Sequence, residues 1–223
     1  RNQLKKLNSI SRKRISGGLL DAFDKSLPFE LTAGQIAVCK EIESDLAQPH
    51  PMHRLLQGEV GSGKTIVALR AMLAVVDSGG QAALLAPTEV LAAQHLRTIQ
   101  KQLGTLAQGG MLGGSDAGTQ VTLITGSQSA QARREALAMA ADGTAGIVIG
   151  THALLGESVV FKDLGLIVVD EQHRFGVEQR DALKEKAVLP PHLLVMTATP
   201  IPRTVAMTVF GDLDVSTLRE LPL

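Results

Sequence analysis

The chain has no tryptophan and no tyrosine, and five phenylalanines leave aromatics at 2% of its 223 residues. Base stacking on aromatic platforms is therefore not the main way it meets a polynucleotide. It has one cysteine, Cys39. A lone thiol excludes an internal disulfide framework and a cysteine-rich zinc site, and it fits a reducing cytoplasm. Cys39 lies between Ile36 and Ile42 at helical spacing, as a packing residue does. Net charge is also absent, since 22 basic side chains balance 22 acidic ones. With no bulk field to attract a polyanion, any nucleic-acid contact comes from local groups. Every apolar run is broken by a charge, Gly or Pro within about ten residues, too short for a membrane span. No signal-peptide pattern is present, and the chain starts at Arg1, so a fragment of a longer protein is expected.

What remains is ordinary globular material, 44% hydrophobic and 20% charged. The first stretch, residues 1–26, is basic, with Arg1, Lys5, Lys6, Arg12, Lys13 and Arg14 around Leu4, Leu7 and Ile10. It predicts an amphipathic connecting helix or the stub of a preceding domain, with a phosphate-contacting helix as the sharper alternative. Gly17-Gly18 breaks that pattern.

Residues 27–223 read as one α/β domain. Short apolar runs at 82–86, 121–124, 147–149, 166–169 and 193–196, with a weaker one at 54–56, predict buried parallel strands. Amphipathic stretches at 65–77, 89–103 and 131–140 predict helices between them. In the first, Ile66, Leu69, Leu73 and Val76 form one apolar stripe. Such alternation implies a central parallel sheet flanked by helices. Residues 104–120 are rich in Gly, Ser and Thr and predict a flexible surface insertion, disordered in part. Beyond Pro200 one more helix and a short tail are expected.

The strongest local signal is Gly58-Glu59-Val60-Gly61-Ser62-Gly63-Lys64-Thr65, a complete G-x-x-x-x-G-K-[ST] phosphate loop. Glycines let successive N–H groups turn onto phosphate oxygens, and the next helix adds its positive end. Lys64 can reach the β- and γ-phosphates of ATP, and the Thr65 hydroxyl can ligate Mg²⁺. A phosphate loop needs a carboxylate from a neighbouring strand to hold the metal. Leu166-Ile167-Val168-Val169 delivers Asp170 and Glu171 at a strand's C-terminal end, where ligands of open α/β sheets bind. Asp170 is the candidate metal acid, and Glu171 is placed to orient or deprotonate the attacking water.

Asp170-Glu171-Gln172-His173 resembles the D-E-x-H box of superfamily-two helicases. Other segments resemble further motifs of those enzymes, in the family's order. Leu31-Thr32-Ala33-Gly34-Gln35 is similar to the glutamine motif, which implies that Gln35 reads adenine. Pro87-Thr88-Glu89-Val90-Leu91, Thr125-Gly126-Ser127 and Gly150-Thr151-His152-Ala153-Leu154 resemble nucleic-acid motifs. The resemblance places Pro87, Thr88, Thr125, Gly126, Thr151 and His152 on the DNA face. Met196-Thr197-Ala198-Thr199-Pro200 resembles the coupling motif, implying that Thr197 and Thr199 link the two sites through His173.

At finer grain, Leu56 to Thr65, Asp170 to Val177 and Thr197 to Thr204 resemble RecG-type DNA branch-migration helicases. The transcription-repair coupling translocase Mfd shares these stretches, and Gln172 with Val177-Glu178-Gln179-Arg180 favours RecG. The resemblance implies a RecA-like ATP-binding lobe of a bacterial, cytoplasmic, ATP- and Mg²⁺-dependent motor acting on forks and four-way junctions. Its implied partners are branched double-stranded DNA, a second RecA-like lobe with arginine fingers, and a DNA-binding wedge domain of the same full-length protein. An Mfd-like translocase and an isolated binding module without useful turnover are the alternatives. The lone lobe is expected to be nearly inactive.

Overall fold

The computed structural model describes residues 8–109, 118–170, 177–202, 204–205 and 213–219. Among these, seven parallel strands form one sheet. They are β1 (His53–Gly58), β2 (Gln81–Leu85), β3 (Gln120–Ile124), β4 (Ala145–Gly150), β5 (Leu164–Asp170), β6 (His192–Thr197) and β7 (Asp214–Leu218), in the order β3-β4-β2-β5-β6-β1-β7. The helices are α1 (Leu19–Ser26), α2 (Ala33–Leu46), α3 (Lys64–Asp77), α4 (Glu89–Leu103), α5 (Ala130–Asp142) and α6 (Val177–Lys184). The expected RecA-like α/β architecture is therefore present.

Side-chain alternation along the strands divides the interior into two cores. Ala82 and Leu84 of β2 and Leu166 and Val168 of β5 face one core, with α1, α2 and α3. Ala83, Leu85, Ile167 and Val169 face the other, with α5. The apolar runs lack polar alternation because both faces of the sheet are covered.

Helix starts follow their capping chemistry. Thr32 and Gln35 form a reciprocal capping box at α2. Thr88 caps α4 by accepting from the Leu91 N–H, and Ser129 caps α5 by accepting from the Ala132 N–H.

Three expectations need correction. Residues 8–15 form no helix; they run along the domain, and Arg12 is 3% exposed, paired with Asp163 at 2.8 Å. Arg12 thus serves an internal ion pair, Arg14 pairs with Asp21, Asp24 and Glu43, and the described helix is the later α1, while residues 1–7, with Arg1, Lys5 and Lys6, lie outside the described residues. The single apolar stripe of α3 is also too narrow, since every residue from Ile66 to Val75 is buried. The polar member, Arg70, is met by Asp24 at 2.7 Å and Glu43 at 3.4 Å on the covering helices α1 and α2. Finally, the tail contains β7, which pairs with β1 from Arg54↔Asp214 to Gly58↔Leu218. Its run Asp214-Val215-Ser216-Thr217-Leu218 alternates like an edge strand, and Arg54 and Glu41 hold the Ser216 hydroxyl.

The expected helix after Pro200 falls mostly outside the described residues. The flanks of 104–120 are ordered: Gly104–Ala107 is a 3₁₀ turn, and Gln108 bridges Gln120. Residues 110–117 lie outside the description. Cys39 is buried, as expected, and burial pushes its thiol pKa up.

Candidate functional site

The parallel sheet sends the C-terminal ends of all its strands to one edge, and the motif residues follow. The phosphate loop leaves β1 at Gly58 and enters α3 at Lys64. Gly61 and Gly63 hold φ of 86° and 85°, the left-handed region where a side chain is strained. A Cβ on Gly63 would also strike the Gln35 amide nitrogen. The Lys64 ammonium folds back on the loop, donating to the Gly58 carbonyl at 2.5 Å and the Glu59 carbonyl at 3.1 Å. Burial holds its pKa below the usual lysine value, while the Asp170 charge pulls the other way.

Asp170 ends β5, and β6 lies between β5 and β1. The register carries a row across this edge, with Asp170 opposite Met196 and Thr197 opposite Gln57. Gly61, Gly63, Lys64, Thr65 and Asp170 line one cavity of about 350 Å³. The structure thus brings together the predicted phosphate and metal residues. Glu171 and His173 lie outside the described residues.

The donor set fits a magnesium polyphosphate. Mg²⁺ typically takes one or two carboxylates, retained waters and substrate phosphates, without a full protein cage. Thr65 and Asp170 with a cradle of backbone N–H groups match that pattern. Among the described residues no cluster of three or more acidic, histidine or cysteine side chains offers a competing site. The Ser62 hydroxyl in the loop is buried without a hydrogen-bond partner.

Gln35 is 2% exposed, and its amide is already engaged. Its oxygen accepts from the Thr32 N–H at 2.9 Å, and its nitrogen donates to the Ser62 carbonyl at 3.1 Å. It therefore buttresses the phosphate loop directly, whatever it does toward a base.

The expected DNA residues sit at the ends of β2, β3 and β4, on the same edge. Thr88, Gly126 and His152 are exposed, and Pro87 is half-buried. Thr125 and Thr151 depart from expectation: they are 4% and 1% exposed. The Thr151 hydroxyl caps the 3₁₀ turn at His152–Leu155, and the Thr125 carbonyl accepts from Arg133. The Thr151 side chain and the Thr125 backbone thus hold the loops, and both side chains are withdrawn from solvent.

Two residues of this edge were not singled out by sequence. Glu89 accepts from the Ser127 N–H at 3.1 Å and the Ser127 hydroxyl at 2.5 Å, tying the loops after β2 and β3 together. Those bonds hold its carboxyl below the usual range. His95 Nε2 lies 2.6 Å from Asp170 Oδ2. Its signal was present as a polar stripe: Gln94, His95 and Thr98 follow Leu91 at helical spacing beside the apolar Ala92, Leu96, Ile99 and Leu103.

Thr197 is 5% exposed, and its hydroxyl accepts from the Thr199 N–H at 3.2 Å. Gln57 bonds the backbone of Ile201 just beyond. The expected coupling loop is therefore fastened to the strand that feeds the phosphate loop.

The family described as DEAD/DEAH box helicase matches residues 32–208. The ATP-dependent DNA helicase RecG of Mycobacterium tuberculosis is 64% identical over 210 residues, covering 93% of this chain and 28% of that protein. RecG of Streptococcus pneumoniae is 47% identical over 227 residues, covering 99% and 32%. A solved structure of RecG bound to a three-way DNA junction superposes with a TM-score of 0.79 and 39% identity, covering 100% of this chain and 28% of that one. The chain thus spans about a third or less of the length of these relatives.

Proposed function

The chain belongs to the DEAD/DEAH box helicase family, and on that premise we propose that it is the first RecA-like lobe of an ATP-dependent motor that remodels branched double-stranded DNA. One observation carries the reading: a complete phosphate loop and the Asp170 carboxylate share a cavity on the sheet edge that also bears the nucleic-acid motifs. The similarity to RecG, solved on a three-way junction, supports branched DNA as the substrate class.

In this reading the loop Gly58 to Thr65 takes the phosphates of ATP. Lys64 leaves the Gly58 and Glu59 carbonyls to meet the β- and γ-oxygens. Thr65 and Asp170 hold Mg²⁺, which when bound neutralises charge developing on the phosphates. Glu171 orients the attacking water and takes its proton. Thr88, Gly126 and His152 meet the DNA backbone, with Pro87, Thr125 and Thr151 shaping their loops. His173, Thr197 and Thr199 transmit between the sites. A second RecA-like lobe and a wedge domain of the same full-length protein close the nucleotide site and engage the branch. A bacterial cytoplasm is the setting that fits.

The test is steady-state ATPase on this chain and on a full-length protein carrying it, each with and without forked DNA. Forked DNA should stimulate the full-length protein, and Glu171→Gln should slow hydrolysis by roughly 10²–10⁴-fold while ATP still binds. This lobe alone should turn over slowly, because an arginine finger is worth about 10³–10⁵ in rate in related NTPases. Equal DNA-stimulated turnover by both would overthrow the half-motor reading.

A further inference from the structure

His95 belongs to none of the motifs that suggested the site, yet it touches the acid at the site's centre. It stands midway along α4, and Leu91, Gln94, His95 and Thr98 form the wall of the cavity opposite the phosphate loop. Its Nε2 is 2.6 Å from Oδ2 of Asp170, with the side chains 13% and 14% exposed. A carboxylate oxygen only accepts, so Nε2 is the donor. A bond this short to a carboxylate, partly withdrawn from water, is strong and directional. Asp170 is otherwise a side chain with two free torsions at the end of a strand, and its two oxygens could exchange.

We propose that His95 is a positioning residue for Asp170. By holding Oδ2 it fixes the carboxylate in one rotamer, so that the acid meets Mg²⁺ already oriented beside Thr65. The alternative for a half-buried histidine is plain packing, but packing does not require a ring nitrogen at hydrogen-bond distance from the metal acid. Sequence position points the same way: Ala92, Leu96 and Ile99 supply the packing face of α4, and His95 lies on the adjacent polar face. Partners that orient metal ligands in this manner typically contribute 10–100-fold to metal affinity. The inference rests on the assignment of Asp170 to the metal.

The experiment measures equilibrium binding of a fluorescent ATP analogue at stepped Mg²⁺ and in EDTA. It compares the unaltered chain with His95→Ala, His95→Gln, His95→Asn and Asp170→Ala. The unaltered chain should gain affinity with Mg²⁺. His95→Ala should need on the order of tenfold more Mg²⁺ for half that gain, with affinity in EDTA unchanged because the phosphate loop is untouched. Gln places its amide nitrogen near the reach of Nε2 and should restore the original Mg²⁺ dependence. Asn is one methylene shorter and should behave as Ala does, so the Gln–Asn pair carries the test if the Ala variant does not fold. Unaltered Mg²⁺ dependence in both Ala and Asn overturns the inference, as does equal loss of affinity in EDTA. If Asp170→Ala keeps the original Mg²⁺ dependence, the metal assignment itself falls; if only Asp170→Ala loses it, the assignment stands and the role of His95 falls alone.

Discussion

The Gln57 side chain and the Ile201 backbone are joined by two hydrogen bonds. Nε2 donates to the Ile201 carbonyl at 3.1 Å, and Oε1 accepts from the Ile201 N–H at 3.2 Å. Gln57 immediately precedes the phosphate loop, and Ile201 follows the Thr197 to Pro200 segment. The pairing makes the first turn of one loop and the last of the other a single body. The pairing ties the strand end that precedes Gly58 to the backbone just past Pro200.

Gln57→Ala removes that fastening. Amide exchange at Ile201 should accelerate relative to the buried amides of α3, and stability should fall by about 0.5–1.5 kcal/mol, the range for a typical hydrogen bond, since the part-buried Ile201 backbone can still reach water. ATP affinity should hold, because no phosphate contact is lost, while DNA stimulation in a full-length protein should weaken. An unchanged Ile201 exchange rate would show that the loop is held by other means.

Gln35→Ala separates two roles. The amide completes the capping box of α2 and anchors the Ser62 carbonyl, so its loss should cost about 1 kcal/mol of stability. If the phosphate loop is the main beneficiary, ATP and GTP affinities fall together in titrations. A loss confined to ATP would assign the amide to the adenine base.

Glu89→Ala tests the lacing of the edge proposed to meet DNA. Deleting a negative charge there should by electrostatics alone tighten binding to a polyanion. Glu89 instead bonds Ser127 at the N–H and the hydroxyl, so its removal should loosen the Gly126-Ser127 turn and weaken DNA binding. Binding that tightens, measured against salt, would mean the carboxylate acts only as charge.

His53 predicts an acid-side loss of stability. Burial first, then the charges of Lys184, Arg180 and His192, lower its pKa from 6.5 to about 4. Above about pH 6.5 the ring is neutral in both states and the fold is unaffected. As pH falls from 6.5 toward 4 the unfolded chain takes up the proton first, removing up to roughly 3 kcal/mol. His53→Gln should flatten that part of the curve in denaturant melts at stepped pH. A variant and parent that lose stability in parallel over this window would refute it.

The strands and the phosphate loop were legible because their signals are local. Buried parallel strands are continuous apolar runs, and the loop needs its glycines at fixed spacing whatever surrounds them. What escaped the sequence depended on partners far along the chain. Arg12 reads as a solvated charge until Asp163, 151 positions away, lies beside it. Thr125 and Thr151 read as contact residues because their motif is at the surface, but tight loops turned their side chains inward. β7 was hidden because a short alternating run with polar members earns its place only beside β1. His95 was overlooked for a similar reason, since a polar helix face has no meaning until a cavity lies against it.

The enclosure of α3 has a mechanical consequence. Its N-terminus follows the phosphate loop, but from Ile66 to Val75 every residue is buried, sheathed by the sheet, α1 and α2. Any axial slip of this helix would shear buried side chains on every side at once, so it is the stationary mount of the lobe. If the lobe binds nucleotide as proposed, movement on loading or releasing it would be taken up by the rim, in the loops after β2, β3 and β6. In hydrogen exchange the α3 amides should open only when the whole lobe unfolds, while the rim opens far more readily.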